Sequence, residues 1–232
     1  MTETVRPVRT LGGPMARRQL HFVWILDVSG SMRSDGKIQA LNVAISEALP
    51  ALRAAAQGNM SADVMVRAVT FSTGAQWHVA DATPVAEFRW KPVEAGGFTD
   101  MGAALSLLAE GMQVPPMPER GLAPVLVLVS DGQPTDDFDD GLRRLLATTW
   151  GSRAVRLAIA IGHDADQRVL QTFIGYGTGL RPVLASDPDA IVSAIRWAST
   201  AVAPTFRDTV SGVGVPGDDD LFYAPDDGVA SP

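Results

Sequence analysis

An aspartate and two serines stand at alternate positions at the end of an apolar run. Residues 20–27 form a mostly apolar segment that ends in Asp27, and Ser29 and Ser31 follow it, with Gly30 between them, where the backbone can turn tightly. Carboxylate and hydroxyl oxygens are ligands that suit a hard divalent cation such as Mg²⁺. The spacing therefore indicates a candidate metal site at the end of a buried strand.

Two further segments supply donors of the same chemical kind. Asp131 follows the apolar run 124–130, and Thr99 follows two glycines just before a helical pattern. In open α/β sheets, ligands bind at the carboxyl ends of strands where the strand order reverses. If the two apolar runs are neighbouring parallel strands, their polar groups converge and predict a Mg²⁺ site, with Mn²⁺ as second choice and the oxygens about 2.1 Å from the metal. The candidate ligands are Asp27, Ser29, Ser31, Thr99 and Asp131.

Short apolar runs alternate with helical patterns along the chain, which is typical of a doubly wound α/β fold. The predicted strands are residues 20–27, 64–71, 76–80, 124–130, 155–161 and 182–184. The predicted helices are residues 38–53, 101–112, 141–148, 166–173 and 188–201, the last one capped by Asp187. Because only Ser72, Thr73 and Gly74 separate strand 64–71 from the next one, that pair is expected to be antiparallel. The sequence thus predicts a Rossmann-like, mostly parallel six-stranded sheet with one antiparallel edge strand and helices on both faces.

The pattern Asp-x-Ser-x-Ser with a distant Thr and a distant Asp-Gly resembles the von Willebrand factor A (vWA) domain and its metal-ion-dependent adhesion site. The resemblance covers about residues 20–203. It implies that Ser29, Ser31 and Thr99 ligate the metal directly, while Asp27 and Asp131 act largely through water and hydrogen bonds. It also implies that a partner protein supplies an Asp or Glu to an open metal position, and that no chemical bond is broken, so the protein would not be an enzyme.

Three segments resemble one particular type of vWA protein more closely. Residues 26–32, 96–105 and 129–136 resemble the TerY-like type of stand-alone vWA protein found in bacterial tellurium resistance. That type implies a stress-response system in which the partner is a protein phosphatase or kinase. One departure is Phe98, an extra residue between the glycines and Thr99, which raises the question of whether this loop reaches the site.

The main alternative is a metal-dependent hydrolase or phosphotransferase that uses Asp27 as base or nucleophile. A two-metal phosphatase needs a denser set of carboxylates than this sequence provides. A phosphoaspartate enzyme of the haloacid dehalogenase type would carry a second Asp where Ser29 stands. Both features favour the binding module.

Several candidate residues have simpler structural interpretations. Ser29 and Ser31 could serve turns or helix caps, Thr99 and Asp100 could stabilise a helix start, and Asp131 with Gly132 forms a common turn dipeptide. Four more acidic residues lie either at a solvated helix entry or at the rim where a partner would dock. These are Asp136, Asp137, Asp139 and Asp140.

Composition narrows the class of protein further. The chain has 232 residues and a net charge of −7, which argues against a nucleic-acid binder, and no apolar run is long enough for a membrane helix. The absence of cysteine favours a cytoplasmic protein over a disulfide-stabilised secreted one.

Residues 1–19 are expected to form a basic tail, 20–203 the vWA-like domain and 204–232 an acidic tail. The acidic tail is a candidate docking arm or internal mimic of a partner carboxylate, and the glycine pattern at 212–217 is rejected as a dinucleotide site because it follows no strand.

Overall fold

A single six-stranded sheet forms the centre of the computed structural model, which describes residues 17–131, 133–163 and 165–203. The strands are β1 (Arg18–Asp27), β2 (Ala62–Ser72), β3 (Gly74–Pro84), β4 (Val125–Ser130), β5 (Val155–Ile161) and β6 (Val183–Ala185). Their order across the sheet is β3-β2-β1-β4-β5-β6, and every neighbouring pair is parallel except β2 and β3. The predicted doubly wound sheet with one antiparallel edge strand is therefore confirmed.

Within the described ranges, six α-helices cover the two faces of this sheet. They are α1 (Lys37–Gly58), α2 (Met101–Gly111), α3 (Phe138–Leu146), α4 (Thr149–Arg153), α5 (Gln167–Ile174) and α6 (Pro188–Ser199). Short 3-10 helices follow β1 at Gly30–Gly36 and α6 at Thr200–Val202. As predicted, the Asp187 side chain caps α6 by accepting a hydrogen bond from the Ala190 amide at 2.9 Å.

Alternate residues of β1 belong to two different hydrophobic cores. Phe22 and Trp24 pack with α1 and α6, whereas Val23 and Ile25 pack with α2, α3 and α5 on the opposite face. All six residues of β4 are buried. A strand covered by helices on both sides needs apolar residues at every position, which explains its continuous run of Val and Leu.

Two helices differ from their predicted bounds by three or more residues at one end. Helix α1 continues through Pro50 to Gly58 instead of ending at residue 53, because buried Leu52 and Ala56 extend its apolar face and outweigh one lost backbone hydrogen bond. The predicted helix 141–148 corresponds to α3, which begins three residues earlier and ends at Leu146. The chain does not continue this helix, because the Thr148 side chain accepts a hydrogen bond from the Gly151 amide at 2.9 Å and caps a separate helix, α4. The two predicted tails lie almost entirely outside the described residues, as does the glycine pattern at 212–217.

Candidate functional site

The first candidate residues lie where the strand order of the sheet reverses. Strand β1 pairs with β2 on one side and with β4 on the other, so the ends of β1 and β4 are neighbours. The Ser130 hydroxyl at the end of β4 donates a hydrogen bond of 2.6 Å to Asp27 Oδ2, and the Ser29 amide donates one of 2.8 Å to Asp27 Oδ1. Asp27 therefore joins β4 to the loop that carries the two serines.

Asp27 is a fully buried carboxylate, with no exposed surface. Burial raises the pKa of its carboxyl from 3.8 to about 6, the hydrogen bonds from Ser130 and Ser29 oppose this shift, and the nearby Asp131 carboxylate adds to it. Within the described part of the chain, neither Asp27 nor Asp131 forms an ion pair with a basic side chain. A bound cation would offset this concentration of buried negative charge.

The two serines lead from this buried carboxylate to the surface. The hydroxyl oxygens of Ser29 and Ser31 are 2.9 Å apart, and Ser29 is buried whereas Ser31 is exposed. Ser29 stands at the start of the 3-10 helix Gly30–Gly36, but its side chain makes no capping hydrogen bond there. The interpretation of Ser29 as a helix cap is therefore wrong. Its hydroxyl instead contacts the hydroxyl of Ser31.

The loop that carries Thr99 is held against the loop after β1 by backbone hydrogen bonds. The Gly96 amide donates to the Val28 carbonyl at 2.7 Å, and the Gly30 amide donates to the Gly97 carbonyl at 3.0 Å. Gly97 has a φ of +87°, and a Cβ there would lie 2.6 Å from a Thr73 side-chain atom, so a larger residue does not fit. Phe98, the extra residue in this loop, therefore does not keep the loop away from the end of β1.

Thr99 is also tied to the loop that follows β4, through Thr135. The Thr135 amide donates to the Thr99 carbonyl at 2.9 Å, and the Thr99 amide donates back to Thr135 Oγ1 at 3.0 Å. Thr135 Oγ1 in turn donates to Asp100 Oδ1 at 2.8 Å, while Asp100 Oδ2 accepts from the Gly74 amide at 2.7 Å. The sequence did not indicate that Thr135 holds the Thr99 loop. The one hint was its position four residues after the candidate ligand Asp131.

Helix α2 is capped from a different segment than the sequence indicated. Asp100 occupies the N-cap position of α2, where its negative charge suits the helix start, but its side chain makes no capping hydrogen bond there, and Thr99 is not the N-cap residue. Instead, the Asp136 carboxylate accepts hydrogen bonds from the amides of Gly102 at 2.8 Å and Ala103 at 2.7 Å. Because Asp136 is more than thirty residues away from α2 in the sequence, the residues around the start of α2 could not predict this cap.

Asp131 is buried beside these loops, and only 4 % of its surface is exposed. Its Oδ1 accepts a hydrogen bond of 3.4 Å from the Gln133 amide, and its carbonyl accepts one of 2.8 Å from Asp166. The first of these agrees with the turn interpretation, although Gly132 lies outside the described residues.

The remaining acidic residues lie at the start of α3. Asp137 caps that helix by accepting from the Asp140 amide at 2.9 Å, and Asp139 lies in its first turn. Asp140 pairs with Arg143 and, at 2.6 Å, with Arg144. These contacts fit the solvated helix entry better than a free docking rim.

The site thus combines three loops at one edge of the sheet. In the ranges that the structure describes, no group of three or more His, Asp or Glu side chains is arranged to hold a metal, so a cation here would depend on the hydroxyl donors. Hydroxyl and carboxylate oxygens match the preferences of Mg²⁺ and Mn²⁺. The Thr99 hydroxyl forms no hydrogen bond with the other four candidates among the described residues, so the contacts that bring Thr99 to the site are the backbone hydrogen bonds of its loop.

The comparisons with known proteins identify the fold. No family model and no curated protein matches the chain. Among solved structures, VWA2 of Sulfolobus acidocaldarius, an ArnB paralog, aligns with a TM-score of 0.55 and 17% identity, covering 77% of this chain and 44% of its own. A von Willebrand factor type A protein from Catenulispora acidiphila aligns with a TM-score of 0.56 and 18% identity over 81% of this chain and 43% of its own.

A third solved structure is the pilus adhesin SpaC from Lactobacillus rhamnosus GG. It aligns with a TM-score of 0.62 and 13% identity over 83% of this chain and 32% of its own. The chain spans less than half the length of each of these three proteins. Within the described residues, no helix has the length and apolar character needed to cross a membrane. The six-stranded sheet and these alignments together show that the chain has the vWA-like α/β fold.

Proposed function

We propose that this protein is a metal-dependent protein-interaction module. A divalent cation, Mg²⁺ or in second place Mn²⁺, would be bound by the hydroxyls of Ser29, Ser31 and Thr99. Asp27 and Asp131 would act through water and through hydrogen bonds to these ligands. The observation that carries the proposal is the buried Asp27 carboxylate, which has no basic partner among the described residues and is joined by hydrogen bonds to Ser29 and Ser130 where the strand order reverses.

The chemistry of these donors determines what the cation would do. Neutral hydroxyl ligands leave most of the positive charge on the metal, so an open coordination position attracts an anionic oxygen from outside. An Asp or Glu side chain of a partner protein is the natural source of that oxygen. The vWA-like fold supports this role, because SpaC, which shares the fold, is a pilus adhesin.

The finer assignment rests on the sequence segments alone. Residues 26–32, 96–105 and 129–136 support a TerY-like protein of a bacterial tellurium-resistance or stress-response system, with a phosphatase or kinase as partner. The absence of cysteine supports a cytoplasmic location for such a protein.

We expect no catalytic turnover from this site. Asp27, the residue that a hydrolase or phosphotransferase would use, is fully buried, and both of its oxygens accept hydrogen bonds. It cannot reach a substrate without opening the fold. Hydrolysis of a phosphate ester by the wild type that disappears in Asp27→Asn would overturn this expectation.

Calorimetric titration of Mg²⁺ and Mn²⁺ into the metal-free protein, with and without acetate, tests the proposed site. Wild type should bind one cation saturably, and Ser29→Ala should lose this binding because it removes a direct ligand. Ser152→Ala is the matched control: it removes an exposed serine hydroxyl from α4, at the opposite edge of the sheet, and should bind like wild type.

Two results would contradict the proposed function. One is equal metal binding by wild type and Ser29→Ala, which would place the cation elsewhere. The other is no binding by wild type even with acetate present, since acetate supplies the carboxylate that a partner would provide. Circular dichroism of each variant excludes loss of the fold as the cause.

A further inference from the structure

Exposed large hydrophobic side chains are distributed unevenly over the molecule. In the described ranges they are Val43, Met60, Phe98, Val114 and Tyr176. Three of them lie on connections that lead from the end of a helix to the start of a strand, at the edge of the sheet opposite the candidate site, and Val43 lies on α1. Phe98 is the one that lies at the carboxyl edge, directly before Thr99, with 64 % of its surface exposed.

The segment that presents Phe98 is fixed by backbone hydrogen bonds on both sides. The Gly97 carbonyl accepts from Gly30 at 3.0 Å, the Phe98 amide donates to Thr73 Oγ1 at 3.3 Å, and the Asp100 amide donates to the Ser72 carbonyl at 2.9 Å. A phenylalanine that remains mostly exposed contributes little to folding. An exposed aromatic side chain on a backbone held in this way is, however, well suited to contact a partner, because the loop does not have to be ordered on binding.

A cationic side chain lies on the other flank of the same loop. Arg33 Nε donates to the Ala95 carbonyl at 2.8 Å, and its Nη2 would lie 2.8 Å from a Cβ placed on Gly96. The exposed guanidinium group thus covers Gly96 and adds positive charge beside the candidate site. The rim therefore offers an apolar contact at Phe98 and an electrostatic attraction for acidic segments at Arg33.

We propose that Phe98 is a specificity-determining residue that selects partner segments in which the metal-bound Asp or Glu is next to a large apolar residue. Phe98 directly precedes Thr99, with their Cα atoms about 3.8 Å apart, so an apolar side chain close to the metal-bound acid is the partner group that the exposed Phe98 ring would contact. This inference rests on the proposed metal-dependent function and names the chemistry of its partner.

Two capped tripeptides test the inference, with affinities measured by NMR titration in excess Mg²⁺. One is acetyl-Gly-Asp-Gly-amide, and the other is acetyl-Leu-Asp-Leu-amide, which adds apolar neighbours to the same acid. Wild type should bind the leucine peptide about fivefold more tightly than the glycine peptide. Phe98→Ala should bind both with equal affinity, and Phe98→Leu should restore most of the preference.

Tyr176→Ala is the matched control, because it removes an aromatic ring that is 75 % exposed at the opposite edge of the sheet. This variant should keep the wild-type preference. Equal binding of the two peptides by wild type, or a preference that survives in Phe98→Ala, would overturn the inference while leaving the proposed function intact. Absence of Mg²⁺-dependent binding of either peptide would contradict the proposed function and, with it, the role of Phe98.

Discussion

The Asp27 carboxylate lies in an environment that does not favour its charge. Its raised pKa means that the folded protein holds the ionised carboxylate less favourably than the unfolded chain does. The shift from 3.8 to about 6 corresponds to a cost on the order of 3 kcal/mol at neutral pH. A buried carboxylate that destabilises the fold is typical of a functional site. A bound cation would supply the counter-charge that Asp27 lacks among the described residues.

Replacement of this carboxylate by a neutral amide should stabilise the metal-free protein. We expect Asp27→Asn to raise the free energy of unfolding at pH 7 in the presence of chelator, by up to about 3 kcal/mol. A raised pKa contributes stability below pH 3.8 that is lost as the pH rises through about 6, so the advantage of Asn should vanish near pH 4. Urea denaturation at pH 4 and pH 7 measures both differences.

The geometry allows this substitution without new strain. The amide oxygen can accept from the Ser29 amide, and the Ser130 hydroxyl can rotate to accept from the amide nitrogen. A variant less stable than wild type at both pH values would show that the two hydrogen bonds matter more than the buried charge.

At the scale of the elements, the closest contact around the site lies between α2 and α3. A Cβ on Gly141 would lie 2.3 Å from the Gly102 carbonyl oxygen, and a Cβ on Gly102 would lie 2.3 Å from the Asp137 carbonyl oxygen. Both contacts involve backbone atoms, which cannot move aside as a flexible side chain could. The two helices can approach this closely only because both positions are glycine.

Gly141→Ala should therefore separate the two helices and destabilise the protein. We expect a loss of roughly 2 to 4 kcal/mol in the free energy of unfolding, because the added methyl group meets backbone. Gly58→Ala is the control, since a Cβ there has no heavy atom within 4 Å, and it should leave stability nearly unchanged. Equal stability of the two variants in urea denaturation would contradict this account.

The strands and most of the helices were predictable because their apolar periodicity reflects burial on one or two faces. Strand β5 has the predicted bounds, and β1 differs only by starting at Arg18. What the sequence could not reveal are contacts that depend on the assembled sheet. Asp136 caps a helix that begins thirty-five residues earlier in the chain, and Thr135 holds a loop thirty-six residues away. No local pattern encodes such pairings, so the supports of the site became visible only in the structure.

For the molecule as a whole, the pH dependence of stability combines Asp27 with a second buried group. His21 is 4 % exposed, and its Nδ1 has no hydrogen-bond partner among the described residues. Burial, and to a lesser degree the positive charge of Arg67, lowers the pKa of its imidazole from 6.5 to about 4. His21 is therefore protonated below pH 6.5 in the unfolded chain, but only below about pH 4 in the folded protein.

These two groups have opposite effects on stability between pH 4 and pH 6. As the pH falls, His21 lowers the free energy of unfolding by about 1.4 kcal/mol per unit, while protonation of Asp27 raises it by a similar amount. Wild type in chelator should thus show little change across this range. Asp27→Asn alone should lose stability toward low pH, and Asp27→Asn combined with His21→Leu should be flat again.

Urea denaturation at half-unit pH steps tests this compensation. A steep wild-type profile, or a single variant with the same slope as wild type, would show that other groups control acid stability.

In the Thr99 loop, the hydrogen bonds that fix its position involve the backbone, whereas the exposed side chain of Phe98 takes no part in them. The Gly97 carbonyl and the Thr99 amide fix the path of the chain, and Asp100 anchors its end, so the position of the Thr99 hydroxyl does not depend on the identity of residue 98. Changes at Phe98 can therefore alter partner choice while the oxygen donors stay in place. In an evolving interaction system, such a loop lets new partners be acquired by single substitutions without rebuilding the site.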